Sequence, residues 1–226
     1  HPEDEENPEP SQEEAPEETG NSEPEPWDAP GTIDPTSFAW GIQLSDATAE
    51  SVLSSVRTLE PAIRLILMRG EEDGWVVDQQ FDETQVLDSI VQTEITNLNP
   101  DSVYSLVAYS SDGNRRSRAS RFRTALGEGQ SRTIRFGASS CLGGNNRPFP
   151  TLSRAAEENL DFFLLGGDTV YADGSLTFEH YRGVWEEALN QQGLQDLFSS
   201  TSVISVWDDH EVSNDWSWTD LLISDR

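Results

Sequence analysis

The sequence predicts a chain of mixed class, in which a β-sandwich is followed by an α/β domain. Residues 37–124 contain short apolar runs separated by turn residues, which is typical of a sandwich. Further along, strand-like and helix-like segments alternate, which indicates a sheet covered by helices. Residues 1–31 hold twelve Asp or Glu and no Arg or Lys, and this composition predicts a disordered tail. We therefore divide the chain into a tail (1–31), a sandwich (32–125) and an α/β domain (126–226).

The charge of the chain limits its partners. The net charge is -28, and removing the twelve acidic residues of the tail leaves -16 for the rest. Such a surface repels polyanions, so nucleic-acid binding through a basic patch is not expected. No apolar run reaches the about 18 residues that a membrane span requires, so no transmembrane segment is expected. The chain begins with His1 rather than Met, which suggests a mature form or an excised piece.

The acidic tail suggests that the protein is located outside the cytoplasm. Tails of this kind often link an exported domain to an envelope anchor, and we expect such an anchor upstream and an exported protein, whether periplasmic, at the cell surface or secreted. A plain solvated chain terminus explains the same composition equally well.

The predicted sandwich consists of strands of similar length with Gly, Pro, Asn and Asp between them. Its last part has a Leu-x-Pro turn followed by a strand that contains a tyrosine, as fibronectin type III modules do. No residue in it suggests catalysis. The expected strands are FAWGIQL, SVLSSVRT, AIRLILMRG, WVVDQQF, SIVQTEITNL, SVYSLVAYS and SRFRT.

In the α/β domain, three apolar strands each run into unusual residues. IRFGASSC ends at Cys141, LDFFLLGGD ends at Asp168, and SVISVWDDH ends at His210. Helical spacing is expected in PTLSRAAEEN and between FEHYRG and DLFSS. Because ligands bind beyond the carboxyl ends of strands in such sheets, the three strand ends predict one site.

Asp168 and Cys141 each have a functional and a structural interpretation. The glycines before Asp168 allow a sharp turn that brings its carboxylate to the sheet edge, where it can bridge two cations. Alternatively, Asp168 caps the next helix or stabilises a turn. Cys141 is the only cysteine, so an internal disulfide is impossible. A lone cysteine is commonly a small buried apolar residue, but at this strand end a thiolate is a good ligand for a transition metal. Tyr171 can supply a phenolate oxygen or pack as an aromatic ring.

The run WDDHE raises the question of charge repulsion. Asp208, Asp209 and Glu211 repel one another after a strand expected to be buried, so a compensating cation is favoured. A helix N-terminus is the alternative source of compensation. His210 is then placed to donate a proton to a ligand oxygen. Asn214 offers a neutral oxygen for a hard cation, or a helix cap.

The order of SSC, LLGGDTVYADG and VISVWDDHEVSND, after a fibronectin-like sandwich that ends in RFRT, resembles the PhoD-like alkaline phosphatase D family of calcineurin-type metallophosphatases. The resemblance covers about residues 37–218. It implies a phosphoesterase domain of two packed mixed sheets flanked by helices. It also implies hydrolysis of small phosphate mono- or diesters outside the cytoplasm with two metal ions, Fe3+ and Ca2+.

Carried onto this sequence, the resemblance implies Cys141, Asp168 and Tyr171 as ligands of the ferric ion, with Asp168 bridging to calcium. Asp209 and Asn214 would face the second ion. His210 would stand near the leaving group as the catalytic residue.

The sequence also departs from the family pattern. Gly-Gly-Asp-Thr-Val-Tyr replaces the more common His-Leu-Gly-Asp-Tyr-Ile-Tyr-Glu, and the carboxylate after Tyr171 is displaced to Asp173, which leaves the substrate preference open. Family members continue beyond the point where this chain stops and supply further Asp and His ligands. We therefore expect the 226-residue piece to bind metal weakly and to be inactive alone.

Two competing functions are considered. In one, the sandwich and tail serve adhesion at the cell surface, and the second domain is a degenerate remnant without catalysis. In the other, the domain is a nuclease-type or phospholipase-type phosphodiesterase. The sequence contains no lysine, so any basic contact to phosphate would come from an arginine such as Arg147 or Arg182.

Overall fold

The computed structural model describes residues 24–85 and 89–217. It contains two mainly antiparallel sheets that face each other across an apolar core, followed by a three-stranded parallel sheet with helices. Within the described residues, no helix has the length and apolar character needed to cross a membrane.

The sandwich contains nine strands in two sheets. The larger sheet has the order β1-β8-β7-β4-β5, with β9 also paired to β7, and the smaller sheet has the order β2-β3-β6. Buried and half-buried residues alternate along β3, so one face of this strand lies in the core. The strands are β1 (Thr32–Ile33), β2 (Ile42–Ser45), β3 (Ser51–Arg57), β4 (Ala62–Glu71), β5 (Gly74–Gln85), β6 (Ile90–Thr96), β7 (Val103–Ser110), β8 (Arg115–Arg116) and β9 (Ser120–Arg123).

A tyrosine fixes the last turn of the sandwich. Tyr104 is fully buried, stacks on Phe122 with ring centroids 5.4 Å apart, and accepts a hydrogen bond from the N–H of Asn99 at 2.8 Å. A buried tyrosine bonded to the backbone a few residues upstream is typical of immunoglobulin-like sandwiches. The expected Leu-x-Pro turn and tyrosine strand are therefore joined directly.

Two parts of the sandwich region differ from the expected pattern. The strand expected as FAWGIQL is β2, which begins at Ile42 rather than Phe38, because the Asp34 carboxylate accepts the N–H groups of Thr36 and Ser37 and forms a turn there. The end of the region assigned to the tail packs on the sandwich. Ala29 is buried there, and Trp75 donates to the carbonyl of Glu25 at 2.7 Å. Residues 1–23, the main part of the expected tail, lie outside the described residues.

The second half forms a parallel sheet in the order β10-β11-β12. Its helical region, expected to be continuous after residue 178, divides into two helices because Gln191 is extended. The strands are β10 (Phe136–Ser139), β11 (Phe162–Gly166) and β12 (Ser202–Val206), and the helices are α1 (Pro150–Ala155), α2 (Phe178–Leu189) and α3 (Gln192–Ser200). The parallel sheet is as expected, whereas the second sheet implied by the resemblance is not among the described residues.

β12 forms one edge of this sheet within the described residues, and Val206 is 60% exposed. This strand was expected to be buried, and that expectation is wrong at its C-terminal end. Pairing on one side alone leaves the edge uncovered.

A network of ion pairs joins the two halves. Arg132 in the linker donates two hydrogen bonds to Asp161, at 2.9 and 2.7 Å, and one to Asp101 of the sandwich at 2.6 Å. Arg123 of β9 contacts the same two carboxylates. Because each carboxylate meets two arginines, the orientation of the parallel sheet on the sandwich is fixed by charge as well as by packing.

Candidate metal centre

The candidate site lies beyond the C-terminal ends of β10, β11 and β12. The parallel register brings these three ends to one edge of the sheet. Backbone hydrogen bonds then join the first two loops, from Cys141 N–H to the Gly167 carbonyl at 3.1 Å and from Leu142 N–H to the Asp168 carbonyl at 3.0 Å. Parallel strands with loops at their carboxyl ends are the usual position of a binding site in such sheets.

Gly167 is required by the shape of the β11 loop. Its φ is +94°, and a Cβ at this position would come within 2.6 Å of the Asp208 Cβ. Only glycine accommodates both conditions without strain. The turn places Asp168 in the left-handed region, with φ of 52°, and leaves only 6% of it exposed. The loops after β11 and β12 are thus in direct contact beside the Asp168 carboxylate.

The metal-binding side chains converge around Asp168. One ligand atom from each of Asp168, Asp209 and His210 lies within 4.8 Å of the others. The Cys141 thiol donates to the second oxygen of Asp168 at 3.4 Å. The interpretation of Cys141 as a buried apolar residue is wrong, because the residue is exposed. A thiol, two carboxylates and an imidazole in contact form a donor set that suits a transition metal beside a harder cation.

Glu211 has a different role from the other acids of the WDDHE run. It is only 7% exposed and accepts the backbone N–H groups of Thr169 at 2.6 Å, Asp208 at 2.9 Å and Asp168 at 3.1 Å. Its charge is compensated by these N–H groups, so this carboxylate needs no cation. Asp208 is exposed, and water can solvate its charge. The repulsion expected from the sequence therefore concerns Asp168 and Asp209.

His210 is oriented by two neighbours. Its Nδ1 lies 2.8 Å from Oδ2 of Asp173, and its ring packs against Tyr171 with centroids 4.3 Å apart. The other oxygen of Asp173 accepts the N–H of Asn214 at 2.6 Å. The hydrogen bond to Asp173 raises the pKa of His210, and the charges of Asp173, Asp168 and Asp209 add to the effect although burial opposes it. The imidazole is thus held near Asp168 in a state that favours its charged form.

The acidities of two further groups follow from their contacts. A hydrogen bond from the N–H of Asp215 lowers the pKa of Asp209, so this carboxylate is ionised at neutral pH. Burial raises the pKa of the Tyr171 phenol, and the neighbouring charge of Asp168 raises it further. A phenolate at Tyr171 therefore requires a nearby cation.

The predicted site residues differ in how closely they meet. Asp168, Asp209 and His210 form one cluster. Cys141 joins it through its hydrogen bond to Asp168, and Tyr171 joins it through the His210 ring. The side-chain amide of Asn214 donates to Asp215 at 2.7 Å, and its role as a ligand stays a prediction.

Sequence reasoning missed the roles of Asp173 and Glu211. The displaced carboxylate after Tyr171 was the signal for Asp173. No sequence signal distinguished Glu211 from its acidic neighbours.

The two arginines considered as phosphate contacts, Arg147 and Arg182, interact with different side chains. Arg147 forms an ion pair with Glu187 of α2. Arg182 stands over the Phe178 ring, with its guanidinium carbon 5.4 Å from the ring centroid.

Together, the fold and the site define a β-sandwich joined to an α/β domain that has a candidate metal centre at the ends of its strands. The particular family follows from comparison. Residues 136–222 match the model of the PhoD-like phosphatase family. The resemblance found in the sequence is thereby confirmed.

The structure is similar to the solved structure of PhoD, with a TM-score of 0.70 and 19% identity over 84% of this chain. The chain spans 42% of the length of PhoD. No curated protein matches it significantly.

Two further solved structures match part of this chain. The FN5 domain of Drosophila Lar is 21% identical over 44% of this chain and all of its own length, with a TM-score of 0.31. The chicken CNTN1 FN1-FN3 domains are 15% identical over 43% of this chain and 33% of their own length, with the same score of 0.31. Scores this low support no conclusion, so the fibronectin likeness stays a prediction.

Proposed function

We propose that this chain is the metal-binding part of a phosphoric ester hydrolase that acts on small phosphate mono- or diesters. The observation that carries the proposal is the convergence of Asp168, Asp209 and His210 at one edge of a parallel sheet, with the Cys141 thiol bonded to Asp168. The same segment matches the PhoD-like phosphatase family, and this match supports phosphate-ester hydrolysis as the chemistry of the cluster.

The donor set is compatible with two different cations. Cys141, Asp168 and Tyr171 would hold the ferric ion, and Asp168, Asp209 and Asn214 would hold calcium. Sulfur and phenolate are suitable ligands for iron, whereas carboxylate and amide oxygens are preferred by calcium. When bound, the ions supply the positive charge that a phosphate ester and an attacking water require in hydrolysis.

The residues of the chain then have separate tasks. His210 donates a proton to the departing ester oxygen while water attacks phosphorus from the opposite side. Asp173 holds the imidazole by its Nδ1. Glu211 fixes the backbone of Asp168 and Asp208, so the two loops keep their spacing when substrate binds. Preorganised groups of this kind lower the cost of reaching the transition state.

We expect turnover only in a longer protein. The chain spans 42% of PhoD, and the four clustered side chains fall short of two complete coordination shells. The 226-residue chain should therefore bind metal weakly and show no hydrolysis alone. We also place the complete protein outside the cytoplasm, where calcium is available to the acidic surface, with an envelope anchor upstream of the tail.

The metal-binding part of the proposal can be tested without turnover. Cys141 is the only cysteine, so its rate of alkylation reports on this site alone. Zn2+, which is redox-inactive and binds thiolate, should slow alkylation and bind in calorimetry. Asp168→Asn should weaken that binding by about tenfold or more, since even loss of an outer partner of a ligand costs about 10–100-fold. Asp73→Asn, in the exposed turn before β5, is the matched control.

Activity is tested with para-nitrophenyl phosphate and bis-para-nitrophenyl phosphate. The complete protein should hydrolyse at least one of them and contain close to two ions per chain, and Asp168→Asn should abolish turnover. Substoichiometric metal without hydrolysis would favour the adhesion alternative. Turnover by the 226-residue chain would refute the expectation that it is inactive alone.

A further inference from the structure

A groove runs along α2 beside the candidate metal centre. It has a volume of about 670 Å³, within the range of small-molecule sites, and lies where the sandwich meets α2. We call it the α2 groove. Its walls include Phe178, Tyr181, Arg182 and Trp185 of α2, with Trp40 and Ile90 of the sandwich region.

Four of the nine residues that line the α2 groove are aromatic. Phe178 is 69% exposed although it carries a large ring, and Arg182 stands over that ring. Residues 178, 181, 182 and 185 share one face of α2 because they are three or four positions apart. Exposed aromatic rings next to a guanidinium offer stacking and cation–aromatic contacts to a flat ring.

The back of the α2 groove is held in place by the sandwich. Arg57 lies 4.6 Å from the centroid of the Trp40 ring and donates to Glu186 of α2 at 3.0 Å. Trp40 has φ of 72°, a conformation that is uncommon for a bulky residue and costs free energy. Its buried indole N–H has no hydrogen-bond partner among the described residues.

One hydrogen bond links a wall residue of the α2 groove to the loop that carries the metal centre. The hydroxyl of Tyr181 donates to the carbonyl of Val212 at 3.1 Å. Val212 belongs to the turn that begins at Asp209, where its N–H bonds the Asp209 carbonyl at 2.8 Å. A molecule in the groove would therefore lie along the helix that contacts the His210 loop. Arg182 adds a positive charge to this path, which suits an anionic ester in a chain of net charge -28.

We infer that the α2 groove binds the flat aromatic part, an aryl group or a nucleobase, of a phosphate ester whose phosphate lies at the metal centre. This inference deepens the proposed function and depends on it for the role of the phosphate. Binding of the aromatic part alone does not depend on metal.

The test measures binding of adenosine, para-nitrophenol and ribose to the purified 226-residue chain in EDTA, by saturation-transfer NMR and calorimetry. Adenosine or para-nitrophenol should bind saturably, and ribose should not. Phe178→Leu keeps an apolar side chain but removes the ring, and should weaken binding about tenfold, which equals about 1.4 kcal/mol. Leu176→Ala is the control, because Leu176 is 84% exposed and outside the groove.

The two aromatic probes distinguish the sources of the ring. Preference for adenosine identifies nucleotide esters, and preference for para-nitrophenol identifies aryl esters. Adenosine monophosphate should bind more tightly than adenosine, and Arg182→Gln should remove the difference. The absence of saturable aromatic binding, or equal affinity in the native chain and Phe178→Leu, would overturn the inference. Because EDTA removes metal, a failure of aromatic binding would not contradict the proposed hydrolase function. Loss of hydrolysis alone would not contradict aromatic binding in the groove.

Discussion

The carboxylate of Glu211 accepts the backbone N–H of Asp168 at 3.1 Å, so the loop after β12 holds the central acid of the loop after β11. Glu211→Gln replaces one acceptor oxygen with an NH2 group that opposes the backbone donors. We expect the free energy of unfolding to fall by about 1–3 kcal/mol, the cost of leaving buried donors unsatisfied. Urea denaturation measures the change. Glu128→Gln, in an exposed turn, is the control, and an equal effect of both substitutions would contradict the prediction.

Two glycines should respond to alanine with opposite signs. Gly167→Ala should destabilise by well over about 1 kcal/mol, because the residue has φ of +94° and its Cβ would meet Asp208. Gly183→Ala should stabilise by about 0.5–1 kcal/mol, because Gly183 is inside α2 with open space around it. Thermal and urea denaturation of the two variants test both signs. A change of the same sign in both variants would show that the free space around the glycine and its φ angle do not determine the change in stability.

The His210–Asp173 pair should be visible in a titration. Asp173→Asn should lower the pKa of His210, since the hydrogen bond that the imidazole donates to Asp173 is the main cause of its rise. Stability from the pair is fully present below the unfolded-state pKa of about 6.5 and is lost as pH rises through the folded-state value. NMR titration in EDTA follows the ring, with the exposed His180 of α2 as an internal reference. An unchanged or higher pKa in Asp173→Asn would count against the pair.

The ion network between the two halves should depend on acid pH. Burial raises the pKa of Asp161, but hydrogen bonds from Arg132 and Arg135 and the charges of Arg132 and Arg123 outweigh it, and the net pKa is lowered. A lowered pKa contributes stability above the unfolded value of about 3.9, and this is lost as pH falls through the folded value.

Asp161→Asn tests this expectation. It should cost about 1–3 kcal/mol at neutral pH, and the difference from the native chain should vanish at strongly acid pH. Asp73→Asn should show neither effect. A difference that persists at acid pH would assign the cost to packing rather than to charge.

The strands and the convergence of their ends could be predicted from the sequence because both depend on local patterns. Alternating residues in β3 and the apolar run of β11 mark strands, and Gly166 and Gly167 mark the turn before Asp168. The parallel order followed from the alternation of strands and helices.

The finer features depend on contacts between distant residues. Nothing near Glu211 in the sequence shows that its partners are the N–H groups of Thr169 and Asp168, more than forty positions away. The exposure of Val206 depends on which strands pair with β12. The break between α2 and α3 at Gln191 has no proline, and the nearest glycine, Gly193, lies inside α3.

The arginine and aspartate network has a consequence for dissecting the protein. Asp161 is neutralised partly by Arg123 of the sandwich, and Asp101 partly by Arg132 of the linker. Separating the two halves would leave Asp161 without Arg123 and Asp101 without Arg132. It would also expose to water the apolar surfaces through which the halves pack. Neither half should therefore be expected to fold well in isolation, and the β-sandwich acts as a built-in partner for the assembly of the second half rather than as a detachable module.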